Sequence, residues 1–101
     1  MARLLRWSPQ AVEDIQAIAE FISRDSPAYA SSVVAAVVET TRSLPDFPLI
    51  GRVVPELNNE QIRERFVYSY RLIYRVSADA ILIVAVVHGK RLLEGVDDRF
   101  G

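Results

Sequence analysis

Residues Ile62–Leu93, IRERFVYSYRLIYRVSADAILIVAVVHGKRLL, carry three short apolar runs separated by turn-like segments. Ile62–Phe66 alternates, setting Arg63 and Arg65 on one side and Ile62, Glu64 and Phe66 on the other. Val67–Ser69 then turns the chain. Arg71–Val76 alternates again, with Leu72, Tyr74 and Val76 opposed to Arg71, Ile73 and Arg75. Ser77–Asp79 is a tight connection, so its flanking strands pair antiparallel. Ala80–Val87 is apolar throughout, as a central strand buried on both faces must be. His88-Gly89-Lys90-Arg91 ends it. Arg63, Arg65, Arg71, Arg75, Lys90 and Arg91 stand against only Glu64 and Asp79 in this stretch. The expectation is a sheet apolar on one side and studded with guanidinium groups on the other.

The upstream half supplies the cover for that sheet. Arg3–Trp7 is short and β-prone, with Trp7 as a core anchor. Ser8-Pro9 is a helix start: serine accepts from an early helical N–H, and proline at the first helical position loses no bond. Ala11, Ile15, Ile18 and Ile22 share a face, widened by Val12, Ala19 and Phe21, and the helix runs to about Arg24. Ser26-Pro27 repeats the signal for a second helix to about Ser43, with Tyr29, Val33, Ala36 and Val37 on its apolar side. So short a joint makes the two helices an antiparallel hairpin. Leu44–Pro55 holds three prolines and one glycine, so it is irregular. Phe47, Leu49 and Ile50 are expected to plug one end of the core, and Gly51-Arg52 to turn. The tail from Leu92 is expected to fray. The order strand-helix-helix-strand-strand-strand is α+β, a helix hairpin on one face of a mostly antiparallel sheet, one domain over residues 1–101.

Composition removes several function classes. Half the residues are apolar and none is cysteine, which excludes a disulfide framework and thiolate chemistry and fits a reducing cytoplasm. No apolar run reaches the about 20 residues of a membrane span, and no signal segment opens the chain. A net charge of −1 excludes general adhesion to polyanions. The local excess of cations after Ile62 points instead to a defined anionic partner.

Cleavage of RNA through a ribose 2′-OH needs a base, an acid and cationic stabilisation of the phosphorane. Cations abound here; proton carriers do not. Arginine stays protonated and is a poor base. His88 is the one histidine, which without clustered carboxylates or cysteines argues against a metal site. At a strand end it also fits an ordinary hydrogen-bonded role. Arg63, Arg65 and Arg75 equally fit solvated strand positions or edge protection. Tyr70 and Tyr74 fit packing groups with a hydroxyl at the rim.

The chain resembles the RelE/ParE superfamily of toxins from type II toxin–antitoxin modules. The residues that carry this are Ser8-Pro9, Gly51-Arg52, Ile62-Arg63-Glu64, Tyr70-Arg71-Leu72-Ile73-Tyr74-Arg75-Val76 and His88-Gly89-Lys90-Arg91. The resemblance implies a small cytoplasmic toxin, without cofactor, metal or membrane, held in complex by a cognate antitoxin that wraps its surface. Its RelE-like branch cleaves messenger RNA on the ribosome, and there Arg71 and Arg91 match arginines that stabilise the phosphate. The C-terminal acid–base aromatic of that branch has no counterpart, since the tail offers Asp97, Asp98 and Phe100. Its ParE-like branch poisons DNA gyrase without hydrolysis, and the Arg-Tyr spacing and the His-Gly-Lys-Arg ending look closer to it. On that branch Arg63, Arg65, Arg71, Arg75, Lys90 and Arg91 grip the target or its phosphates. A non-toxic relative that only binds protein is the third alternative.

Overall fold

The computed structural model describes residues 3–90 and 97–100. The elements are β1 (Leu4–Trp7), α1 (Pro9–Ser23), α2 (Pro27–Arg42), β2 (Arg52–Val53), β3 (Ile62–Val67), β4 (Tyr70–Val76) and β5 (Ala80–His88), followed by a 3-10 turn at Asp97–Phe100. Both helices begin where serine chemistry puts them. Ser8 Oγ accepts from the Ala11 N–H at 3.1 Å and Ser26 Oγ from the Tyr29 N–H at 3.1 Å, each with proline next in line.

The five strands form one sheet in the order β1-β5-β4-β3-β2. β1 runs parallel to β5, because the helix hairpin carries the chain across the sheet between them. The other pairs are antiparallel. The fold is therefore α+β, with one face under the helices. Ala11, Ile22, Val33, Val37 and Leu44 from the helical side meet Val67, Leu72, Tyr74, Val76, Ile81 and Ile83 in the main core. A smaller cluster, Val54, Ile62, Ile73, Ala85 and Val87, lies on the opposite face.

Phase decides which side chains share a face. A two-residue turn, Tyr68-Ser69, joins β3 to β4 and pairs Val67 with Tyr70; Tyr68 takes φ 53° to close it. The same register sets Arg63 opposite Tyr74 and Phe66 opposite Arg71. Between β4 and β5, Ile73 meets Ala85 while Tyr74 meets Ile83, so Val84 is a bulge residue. Ile81 and Ile83 thus serve the helix-side core, and Ala85 and Val87 the other one. This is why β5 has no polar alternation.

The bulge is tied down by polar groups from far along the chain. The Val84 carbonyl accepts from Ser8 Oγ and from Arg99 Nη1, at 3.3 and 3.0 Å. Asp14 Oδ2 accepts from the Val86 N–H at 3.0 Å and from Arg99 Nη1 at 2.7 Å. The tail was expected to fray, yet Arg99 anchors its end through a half-buried ion pair.

Three local expectations are corrected. Phe47, Leu49 and Ile50 do not plug the core; they are 62, 60 and 52 % exposed. Val12, Phe21 and Tyr29 point outward, so the apolar stripes of α1 and α2 are narrower than read. Arg52 is not in a turn but pairs with Glu64 as the edge strand β2.

Candidate functional site: a divided set of arginines

The expected single basic face does not form. Arg63 and Arg65 share their side of the sheet with Tyr74 and Leu72, the helix side, while Arg71 and Arg75 share the open side with Phe66 and Ile62. The reason is the turn: alternation fixes sides within a strand, but the Val67–Tyr70 pairing sets odd positions of β3 beside even positions of β4. Lys90 is exposed just past β5, and Arg91 lies outside the described residues.

On the helix side, Arg63 ties down backbone both before and after β2. Its Nε donates to the Glu60 carbonyl at 2.9 Å and its Nη1 to the Gly51 carbonyl at 3.1 Å. Tyr74 reinforces the loop before β2 from beneath: its buried hydroxyl accepts from the Gly51 N–H at 2.9 Å and donates to the Pro48 carbonyl at 2.8 Å. Burial pushes the Tyr74 phenol above its ordinary range, and the neighbouring Arg63 and Arg65 charges offset this in part. Gly51 is required by close approach, since a Cβ there would lie 2.6 Å from both the Glu64 carbonyl and the Tyr74 hydroxyl. Arg65 is half-buried and makes no hydrogen bond or ion pair among the described residues.

On the open side, Arg71 is the centre of a four-residue charge cluster. Its side chain is only 5 % exposed. Nε donates to Glu64 Oε1 at 2.6 Å, and the two terminal nitrogens grip Glu56 at 2.7 and 2.8 Å. Glu64 is fully buried, and its other oxygen accepts from Arg52 Nε at 2.6 Å. Arg52 then stacks over Phe66, 5.1 Å from the ring centroid. Glu56 and Glu64 raise the Arg71 guanidinium further above its ordinary range, chiefly through the Glu56 hydrogen bonds. In return, hydrogen bonding to Arg71 holds the Glu56 carboxyl below its usual value. Arg75 lies in the same face, in register with Ile62 and Leu82.

The proton carriers sit elsewhere. His88 pairs with Tyr70 on the helix side, their rings edge-to-face at 5.8 Å, while Arg71 pairs with Val87 on the other. His88 Nδ1 accepts the Lys90 N–H at 3.2 Å. Among the described residues no cluster of His, Asp or Glu could hold a metal ion. No helix among them is long and apolar enough to cross a membrane. A largely apolar cleft of about 310 Å³ lies between α1 and the end of β5, lined by Asp14, Ile18, Phe21, Tyr70, Val86 and His88.

Glu56 was not legible as a partner of Arg71, nor Arg52 as a partner of Glu64, because they come from the loop and the edge strand. The one available signal was Glu64, an acid alternating with arginines, because a carboxylate buried in a strand requires a cation to face it.

Comparison with known proteins places this geometry. Residues 5–93 match the family model described as ParE toxin of type II toxin-antitoxin system, parDE. No curated protein matches the chain. Among solved structures, the chromosomal ParDE toxin–antitoxin system of P. aeruginosa superposes with a TM-score of 0.71 at 21 % identity, covering 86 % of this chain and 96 % of that one. The RelBE2 toxin–antitoxin complex of Mycobacterium tuberculosis gives 0.62 at 22 % identity, covering 87 and 99 %. A mutant of the E. coli toxin RelE in its free state gives 0.67 at 15 % identity, covering 98 and 94 %. These likenesses establish a shared fold. With the family match spanning nearly the whole chain, the protein belongs to the ParE toxin family of type II toxin–antitoxin systems.

Proposed function

We propose that the chain is a ParE-like toxin that inhibits DNA gyrase by binding and without hydrolysis, and that a cognate antitoxin neutralises it. The observation that carries this is the occupied state of Arg71. A ribonuclease reading asks Arg71 to meet phosphate charge, but its guanidinium is 5 % exposed and held by two carboxylates. An anion reaching it would have to displace Glu56 and approach the buried charge of Glu64.

The acid–base side of the ribonuclease reading is equally poor. Glu56 is the more accessible of the two carboxylates, and its pKa is lowered, away from the range of a general base at neutral pH. His88 is on the other face of the sheet from Arg71. For target contact this reading keeps the exposed Lys90 and the half-buried Arg65 and Arg75, with Arg91 retained from the sequence reading. Arg63 is committed to loop carbonyls. The antitoxin partner is favoured by the solved neighbours, which include toxin–antitoxin complexes.

The test is direct. The purified chain, added to gyrase and relaxed plasmid, is expected to block supercoiling and accumulate cleaved DNA. Unimpaired supercoiling at stoichiometric excess, together with codon-phased cuts in a translating extract, would replace this reading with the ribosome-dependent nuclease.

A further inference from the structure

Arg6 lies in the same cross-strand row as Arg75. The row runs Ile62, Arg75, Leu82, Arg6 across β3, β4, β5 and β1, and residues opposed in register share a side of the sheet. Leu5 and Trp7 pack into the helix-side core, so Arg6 between them is held on the open side. Two strand spacings, about 10 Å, separate the Arg6 and Arg75 backbones, with Leu82 between them. Both arginines line one concavity of about 540 Å³, together with Leu82, Ala80, Gln61 and Ser77. Ligand-holding clefts span roughly 300–1,000 Å³, so this one has room for a partner's side chains.

The concavity has fixed walls. The β4–β5 turn at one end is held by the Ser77 N–H to the Ala80 carbonyl at 3.0 Å and by Arg3 Nε to the Ser77 carbonyl at 2.7 Å. The Val76 N–H ties the same end to the Gln61 carbonyl at 2.7 Å. Arg6 is exposed and makes no hydrogen bond or ion pair among the described residues. Of the described residues lining the concavity, none is acidic and none aromatic. The acid of the adjoining turn, Asp79, accepts from Ser77 Oγ at 3.4 Å.

We propose that Arg6 and Arg75 form a carboxylate clamp over Leu82, which docks an acidic side chain of this toxin's protein target. The docked segment carries that carboxylate next to an aliphatic side chain. Charge selects the acid, and the lining selects protein over nucleic acid. Single strands are gripped by cations together with aromatic faces on which bases stack, and this lining has no aromatic residue. A duplex is held by many phosphate contacts, whereas this cleft offers two cations on a chain of net charge −1. A carboxylate needs only the planar donors of one or two guanidiniums, and an aliphatic neighbour would cover the half-buried Leu82. The proposal rests on the reading of the protein as a target-binding toxin, and Arg75 is among the groups that reading keeps for target contact.

The experiment induces wild type, Arg6→Glu and Arg75→Gln, and reads growth arrest against protein level. Arg24→Glu, at an exposed arginine ending α1, is the control for net charge. The purified proteins are checked by thermal unfolding and light scattering, then tested on gyrase and on labelled single-stranded and duplex DNA. The positions are exposed or half-buried, so midpoints within about 4 °C of wild type are expected. Should Arg75→Gln fall outside that margin, Arg6→Glu decides alone. Arrest should need at least about tenfold more protein for Arg6→Glu and for Arg75→Gln, the scale of one lost anchor, and no more for Arg24→Glu. Undiminished arrest by either cleft variant overturns the clamp, and so does an equal loss in Arg24→Glu. DNA binding by wild type that Arg6→Glu abolishes puts phosphate in place of the carboxylate and also overturns it. So does a wild-type dimer that Arg6→Glu turns into a monomer, and so does a wild type that never arrests growth. If arrest depends on both arginines while gyrase is unaffected, the clamp stands and gyrase is the wrong target. If gyrase is inhibited equally by all four proteins, the gyrase reading stands and the clamp fails.

Discussion

Arg71 and Glu56 face each other through two N–H···O contacts of 2.7 and 2.8 Å, one to each carboxylate oxygen. This fork geometry is the strongest pairing arginine makes. Glu56 comes from the segment between β2 and β3, so the contact also fastens that segment over the small core of Val54, Ile62, Ile73, Ala85 and Val87. The cation that the sequence offers as a phosphate ligand is thus part of the scaffold of the open face.

Glu64 is the deepest member of the cluster, and its loss should be severe. Glu64→Ala leaves Arg71 buried with only Glu56 against it, and is expected to cost about 3–5 kcal/mol in urea unfolding. Replacing both partners, Arg71→Met with Glu64→Leu, should cost clearly less than the sum of the single losses, because no buried charge is left unpaired. Additive losses would show that the two residues are not coupled.

Glu56 makes stability depend on acid. Its folded pKa lies below its ordinary value of 4.5, so its contribution is present above that pH and fades as pH falls through the lower, folded value. Denaturant midpoints measured down the acid limb should therefore fall less steeply for Glu56→Gln than for wild type. Parallel acid limbs would mean that Arg71 does not hold this carboxyl in solution.

Tyr74→Phe removes the hydroxyl that joins Gly51 and Pro48. A buried N–H then lacks its acceptor, for an expected loss of about 1–3 kcal/mol. The alkaline limb should change too. Burial raises the folded Tyr74 pKa above 10.0, so above that pH the unfolded chain ionises first and stability falls; Phe at this position removes that part of the fall.

Asp14 joins α1 to the β5 bulge and to the chain end, through the Val86 N–H and Arg99. Asp14→Ala strands the Val86 N–H and leaves Arg99 only its bond to the Val84 carbonyl, and is expected to cost about 1–3 kcal/mol. Hydrogen exchange should report it as faster exchange of the Val86 amide, with the β3–β4 amides unchanged.

Much of the fold was legible before any coordinates. Ser8-Pro9 and Ser26-Pro27 located both helix starts to the residue, because a side-chain cap and a proline are local chemistry that needs no tertiary partner. Strand alternation placed β3 and β4 to within a residue, and the unbroken apolar run gave β5. Family membership was also readable from motif order along the chain, and the family match agrees.

The arginines were legible as a set but not as a surface. Within β3 and β4 the sequence alone determined which residues share a side, since successive side chains alternate. Only the tertiary structure decided how the two strands phase, through the Tyr68-Ser69 turn, and so divided Arg63 and Arg65 from Arg71 and Arg75. Folding likewise brought Glu56 from a loop onto Arg71 and left Phe47, Leu49 and Ile50 in solvent. Periodicity is a property of one segment, whereas register, charge pairing and burial belong to segments meeting, and no single stretch of chain encodes its neighbour.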